Sequence, residues 1–162
     1  MNRRYKTEEF EKGTQLLSEE YPNACLTTDI IVGFPGETKE DFEITYNFLK
    51  KINFYKMHVF KYSPRKGTKA AEMDNQVDGN IKEERSERLL RLSDNNEKEY
   101  LKQYIGKTAE VLFEQEENGY IKGHMANYIE VKVKKTEEDL ENKMKKVLIK
   151  EVKGLNLVGE PV

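Results

Sequence analysis

A single cysteine, Cys25, is all the thiol chemistry these 162 residues hold. One thiol excludes an intramolecular disulfide and any cysteine-built metal framework, and a lone cysteine just ahead of an apolar strand reads as a small core residue. Histidine is nearly as scarce. His58 and His124 are the only two, and neither has a second histidine or cysteine at ligand spacing, so no metal site, Cys-His pair or Ser-His-Asp arrangement is readable. Long apolar runs are missing: nothing approaches the roughly 18 residues of a spanning helix, and the basic start MNRRYK leads into an acidic segment rather than a signal-peptide core. The expectation is a soluble cytoplasmic chain with no membrane partner. An excess of one charge is missing too, with 28 basic residues against 30 acidic and a net charge of -2, so any nucleic-acid surface has to be local.

What is present centres on residues 27–38, TTDIIVGFPGET. Ile30, Ile31 and Val32 form a β-branched run without a polar break, the pattern of a strand buried on both faces in a parallel sheet. Gly33, Pro35 and Gly36 then impose a turn, and Thr38 stands at a helix N-cap position ahead of Lys39, Glu40 and Asp41. Strand, tight loop and helix N-terminus in succession place exposed backbone amides where ligands bind in α/β proteins, although a Pro-Gly turn in that position is equally ordinary structure. Asp29 and Glu37 bracket the strand and loop, but eight positions apart they are not a catalytic pair, and no catalytic residue is assigned.

Residues 1–73 read as the repeating unit of an α/β fold. Thr7 can cap a first helix with Glu8 and Glu9 in its first turn, ended at Tyr21-Pro22-Asn23. After the central strand, Phe42, Thr45, Tyr46, Leu49 and Ile52 form the apolar stripe of a second helix. The next strand spans 55–62, and the thirty or so residues from strand to strand make a parallel, right-handed βαβ unit. One such unit leaves strand edges unpaired, as a piece of a larger fold would.

Residues 74–104 carry a sparse apolar stripe through a charge-dense segment and read as a long surface helix, with a break or bend expected at Asp94-Asn95-Asn96. Arg85, Arg88 and Arg91 alternate with acids there, either as a solvated face or as an RNA contact. Residues 105–162 read as all-β. Five short strands at 108–114, 120–124, 128–133, 146–152 and 155–158, with a hairpin signal at Asn118-Gly119, suggest a small closed barrel of the OB-like antiparallel kind. The insert 136–145 reads as a loop with a helical turn. From 104 onward ten lysines meet eleven acids with no arginine, so bulk charge gives RNA little. Lys132 and Lys134 nonetheless share a strand face, with Lys122 on the hairpin partner and Tyr120, His124 and Tyr128 near the same turn. That is either a solvated face or a charge-plus-stacking surface for single-stranded RNA.

The string IVGFPGET resembles a segment of the radical S-adenosylmethionine enzymes of the methylthiotransferase family, where it follows the fifth barrel strand. Residues 58–68, HVFKYSPRKGT, resemble the sixth strand and its loop, the start MNRRY resembles the M-x-R-x-Y stretch before the fifth, and 105–162 resembles a TRAM domain, an RNA-binding β-barrel. The resemblance covers nearly the whole chain. It implies the C-terminal fragment of a radical SAM partial (β/α) barrel over 1–73, a connecting helix over 74–104 and the TRAM barrel over 105–162, with Met1 an internal methionine and the N-terminal part of the same enzyme missing. The combination HVF-x-YS-x-R-x-GT-x-A and GY…NYIEVKV looks most like the threonylcarbamoyladenosine tRNA methylthiotransferases, which methylthiolate C2 of adenosine 37 using S-adenosylmethionine and two 4Fe-4S iron–sulfur clusters. Relatives acting on isopentenyladenosine in tRNA are the alternative.

That resemblance implies that Arg3, Gly33, Phe34, Pro35 and Gly36 border S-adenosylmethionine, that Phe60 and Tyr62 lie near its adenine, and that Arg65 faces substrate. Lys122, Tyr128, Lys132 and Lys134 would bind the tRNA anticodon stem-loop. The family's C-x-x-x-C-x-x-C loop is absent, so this chain is expected to bind neither cluster and to be inactive alone. Two competing readings are a stand-alone RNA-binding module and an interaction protein that docks through its open sheet edge.

Overall fold

A computed structural model describes residues 4–137 and 139–162. The chain divides into two compact units at Asn96/Glu97. Among the described residues no helix is long and apolar enough to cross a membrane.

The first unit runs α1 (Thr7–Glu20), β1 (Thr27–Val32), α2 (Lys39–Ile52), β2 (Lys56–Lys61), a short 3-10 turn and most of α3 (Gly79–Lys102). Thr7 is the first helical residue of α1 and not its cap; the preceding Lys6 donates its backbone N–H to Glu9 at 3.1 Å. Thr38 does cap α2: its hydroxyl accepts from the Asp41 amide at 3.1 Å while Asp41 accepts from the Thr38 amide at 3.0 Å. This reciprocal box satisfies two donors that a helix start leaves unpaired. β1 and β2 pair in parallel, Thr27 opposite Lys56 through Val32 opposite Lys61, so the C-terminal ends of both strands come together.

Val32, Phe42, Leu49, Phe54, Met57, Leu89 and Leu92 form the core of this unit, and each such buried side chain stabilises by about 1.5–3 kcal/mol. β1 is not buried on both faces as its sequence suggests. Ile30 and Val32 are covered, but Asp29 and Ile31 alternate outward and Ile31 is 40% exposed. The cause is layering: helices cover one face of a two-stranded sheet, so alternate side chains emerge on the other. No break occurs at Asp94-Asn95-Asn96 either; α3 passes through it. Asp94 and Asn95 stay exposed, and the helix is anchored on either side of them by Ser93 and Asn96. Ser93 Oγ accepts from the Met57 amide at 2.9 Å, and Asn96 donates to the Phe54 carbonyl at 3.1 Å. Propensity loses to these buried tertiary hydrogen bonds.

The second unit is a closed five-stranded barrel in the order β3-β4-β5-β7-β6, with β3 Thr108–Glu117, β4 Tyr120–His124, β5 Glu130–Lys134, β6 Met144–Lys153 and β7 Asn156–Pro161. Alternate residues point in, and Val111, Phe113, Val131, Val133, Val147, Ile149 and Leu157 are sealed from solvent. The pairing is not wholly antiparallel, because β5 and β7 run parallel. The connection after β5 crosses before the β6–β7 hairpin forms, which returns β7 to β5 in the same direction. That connection contains no helix among its described residues, yet Leu140 inserts from it and is fully buried, whereas Met144 opens β6 exposed. Tyr128 precedes β5 rather than belonging to it, in a left-handed conformation with φ 64°.

Candidate functional site

The loop between β1 and α2 is held by its own groups. Gly33 and Gly36 take φ of +70° and +86°, conformations that cost an L side chain strain. The Gly33 amide donates to Glu37 Oε2, the Gly36 amide to the Asn75 carbonyl at 2.7 Å and the Glu37 amide to the Phe34 carbonyl at 2.9 Å. With the Thr38 amide in the helix cap, four amides placed where an anion could be cradled donate within the protein instead. The loop is therefore a rigid shape, not an open anion nest.

Beside it lies an aromatic surface. The Tyr62 amide donates to the Val32 carbonyl at 2.8 Å, which draws the end of β2 against the start of the loop. There the Phe34 and Tyr62 rings meet edge-on at 5.2 Å between centroids. The Tyr62 hydroxyl is buried and has no hydrogen-bond partner among the described residues. Phe60, two residues earlier, is 52% exposed on the open face of the sheet next to Ile31. Five of the expected cofactor residues thus cluster at the strand ends, Gly33, Phe34, Pro35, Gly36 and Tyr62, with Phe60 on the adjoining face. Arg65 sits in the exposed loop after β2, and Arg3 lies outside the described residues.

The arginines of α3 are neither a solvated face nor exposed for RNA, apart from Arg91. Arg85 is buried, and its guanidinium reaches Glu37 Oε2 and the Glu37 carbonyl, each at 3.2 Å. Arg88 forks onto both Glu43 oxygens at 2.6 and 3.0 Å and lies 4.9 Å over the Phe42 and Tyr46 rings. The hydrogen bond from Arg88 holds the Glu43 carboxyl below the ordinary carboxylate range. A depressed carboxyl stabilises above its unfolded pKa, so this contribution disappears as pH falls through the folded value. Lys82 lies across Gly33 and donates to the Tyr62 carbonyl at 3.3 Å. The pairing of Arg85 is not apparent from sequence, although a signal for its burial is: it shares an i, i+4, i+7 stripe with Leu89 and Leu92, a buried line on which an unpaired charge is untenable.

On the barrel, Lys122 and Lys132 face each other across β4 and β5, but the expected basic patch is interleaved with acids. Lys122 pairs with Glu117 at 2.9 Å, Lys132 with Glu130 at 3.1 Å, and His124 lies 2.9 Å from Glu114. The hydrogen bond from Lys122 holds the Glu117 carboxyl low, and the same bond raises Lys122. Lys134 forms no ion pair among the described residues, and Tyr128 is 87% exposed. Stacking surface is plainly available; free positive charge is sparse. Among the described residues no three His, Cys, Asp or Glu side chains converge on a metal-sized site.

No family model matches the chain. It is 45% identical over 155 residues to the threonylcarbamoyladenosine tRNA methylthiotransferase MtaB of Bacillus subtilis, a match covering 92% of this chain and 34% of that protein. The tRNA-2-methylthio-N(6)-dimethylallyladenosine synthase of Aquifex aeolicus is 46% identical over 123 residues, 76% of this chain and 28% of its own length. The corresponding synthase of Lachnoclostridium phytofermentans is 39% identical over 163 residues, 99% of this chain and 36% of its own. The chain spans about a third of the length of these curated relatives. With such identity running through both units, the chain belongs to the family of tRNA methylthiotransferases.

Proposed function

We propose that this chain is the C-terminal part of a cytoplasmic radical SAM tRNA methylthiotransferase acting on N6-threonylcarbamoyladenosine at position 37. Residues 1–73 would close part of the radical SAM barrel, 74–104 connect, and the TRAM barrel of 105–162 hold the tRNA anticodon stem-loop. One observation carries this reading: a threonylcarbamoyladenosine enzyme matches this chain across both units, 45% identical over 92% of the chain. A stand-alone RNA module would leave the match across the α/β unit unexplained. The dimethylallyladenosine reading draws on 46% identity to three synthases, but over 76% of the chain or less, and falls to 39% where a synthase is matched almost throughout.

The cofactors fit this chain unequally. One cysteine cannot furnish the ligands of a four-iron cluster, so the clusters belong to the rest of the enzyme. The rings of Phe34, Phe60 and Tyr62, with the buried unpartnered Tyr62 hydroxyl, fit the adenosine side of S-adenosylmethionine. When bound, that cofactor and the clusters supply the methyl and sulfur chemistry; these residues would orient the adenine and exclude water, with Arg65 toward the substrate. Anaerobic reconstitution of this chain with iron and sulfide is expected to leave it without stoichiometric cluster iron and without S-adenosylmethionine cleavage. A cluster absorption band with bound iron near stoichiometry would refute that.

The functional reading is tested by titrating the chain with a labelled anticodon stem-loop at several salt concentrations. Tyr128→Ala should weaken binding by roughly 1–3 kcal/mol with little change in salt slope, and the exposure of its ring means that the fold should survive. Lys132→Ala with Lys134→Ala should lower the slope by about 0.7–0.9 for each phosphate that is no longer neutralised. Wild-type affinity and slope in a folded double variant would show that the lysines form only a solvated face. A stem-loop bearing threonylcarbamoyladenosine, compared with one bearing dimethylallyladenosine, distinguishes the two substrates.

A further inference from the structure

The β3–β4 and β6–β7 hairpin ends line one cleft on the outside of the barrel, about 230 Å³ in volume. Tyr120 and Val158 give it apolar surface, outward in alternation with the buried Ile121 and Leu157. Lys132 enters from β5 and Lys153 from the end of β6, the latter with Nζ 5.9 Å from the centroid of the Tyr120 ring. Asn118 faces it from the β3–β4 turn and Asn156 from the first position of β7, and neither side-chain amide has a hydrogen-bond partner among the described residues. The carboxylate at its rim, Glu117, is already engaged by Lys122 at 2.9 Å.

We propose that this cleft holds one unpaired nucleotide of single-stranded RNA, the base stacked against Tyr120, the phosphate met by Lys153 and Lys132, and the base edge bonded by Asn118 and Asn156. The volume is below the roughly 300 Å³ at which whole small-molecule sites begin, and suits a single base. An aromatic face beside cations is how single strands are held, and an asparagine amide offers both donor and acceptor to a base edge. With Tyr120 and Val158 its chief apolar surface, the cleft lacks the large desolvated anchor pocket of a protein-binding hot spot. The inference rests on the reading of the barrel as RNA-binding and adds a site at the opposite end of β4 from Tyr128.

The test uses the full chain, ¹⁵N-labelled and titrated with the single-stranded tetranucleotides r(A)₄ and r(U)₄ and with a blunt RNA duplex. Single strands should shift the amides around 118–120 and 153–156, and the duplex should not. Tyr120→Leu should weaken binding about tenfold with the salt slope unchanged. Lys153→Met should weaken it and lower the slope by about 0.7. If Tyr120→Leu fails to fold, Lys153→Met and Asn156→Ala decide, since both are the last paired residues beside the β6–β7 turn. Shifts confined to Tyr128 and Lys134 would overturn this site while leaving RNA binding by the barrel intact. Absence of binding to tetranucleotides and stem-loop alike would overturn both.

Discussion

Arg85→Met is expected to destabilise the first unit by about 3 kcal/mol and to release the 33–37 loop. The Arg85 side chain is 8% exposed and that of Glu37 15%, so removing the guanidinium strands a carboxylate in a largely dry site. Breaking a buried pair from one side costs about 3–5 kcal/mol, and the exposure left here puts the loss at the lower end. Methionine keeps apolar bulk near the Phe42 ring, 5.4 Å from the guanidinium carbon, so the loss reports charge rather than a cavity. Glu37→Leu added to Arg85→Met should recover part of the stability, because two uncharged partners leave no orphan ion. Because the chain has two units, a global melt averages over both. Amide exchange at Gly33 and Tyr62, whose N–H groups bond within the loop and to β1, reads the loop itself. Additive losses below about 0.5 kcal/mol for each single change would mean that the pair is solvated and does not hold the loop.

This ion pair also marks the limit of what the sequence discloses. Thr38 as a cap, the stripe from Phe42 to Ile52 and the Asn118-Gly119 hairpin were legible because each is decided by neighbours within one turn or one ladder step. The expected adenine-side residues were legible only through a resemblance, and the structure gathers Phe34 and Tyr62 by a strand register that no local pattern encodes. Arg85 lies 48 positions from Glu37, and composition counts it as one more charge in a charged helix. The unbroken course of α3 through Asp94-Asn95-Asn96 has the same origin: partners in β2 and just before it, distant in sequence, bond Ser93 and Asn96 and hold the helix on both sides of the exposed Asp94 and Asn95. Ile31 errs the other way. Its apolar character predicts burial, but burial depends on a covering layer that is not within this unit.

Gly123→Val should be the most damaging single change in the barrel, costing about 4 kcal/mol or more, at the extreme of point substitutions. Gly123 occupies an inward position of β4, and a Cβ built on it would lie 2.2 Å from the Leu112 carbonyl oxygen and 2.7 Å from the Phe113 Cα. Both are backbone atoms of the paired strand, so no rotamer change relieves the overlap; β3 itself must move. The β3–β4 register is already irregular between Phe113 and Gln115, where β3 folds closely over the glycine. In a closed barrel that displacement also pulls β3 from β6, so the penalty exceeds the roughly 1–3 kcal/mol of ordinary overpacking. Gly119→Ala is the control: it has φ +77° but open space around a new Cβ, and should cost only about 1–2 kcal/mol of left-handed strain. Thermal unfolding followed by β-sheet circular dichroism should show loss of the barrel in Gly123→Val, with the helical signal of the first unit retained. The proposed stem-loop binding should disappear with it, because Lys122, Lys132 and Tyr120 keep their spacing only while β4 and β5 are held. A Gly123→Val chain with a wild-type midpoint would mean that β3 yields without cost, and that the close approach of the two strands is not what closes the barrel.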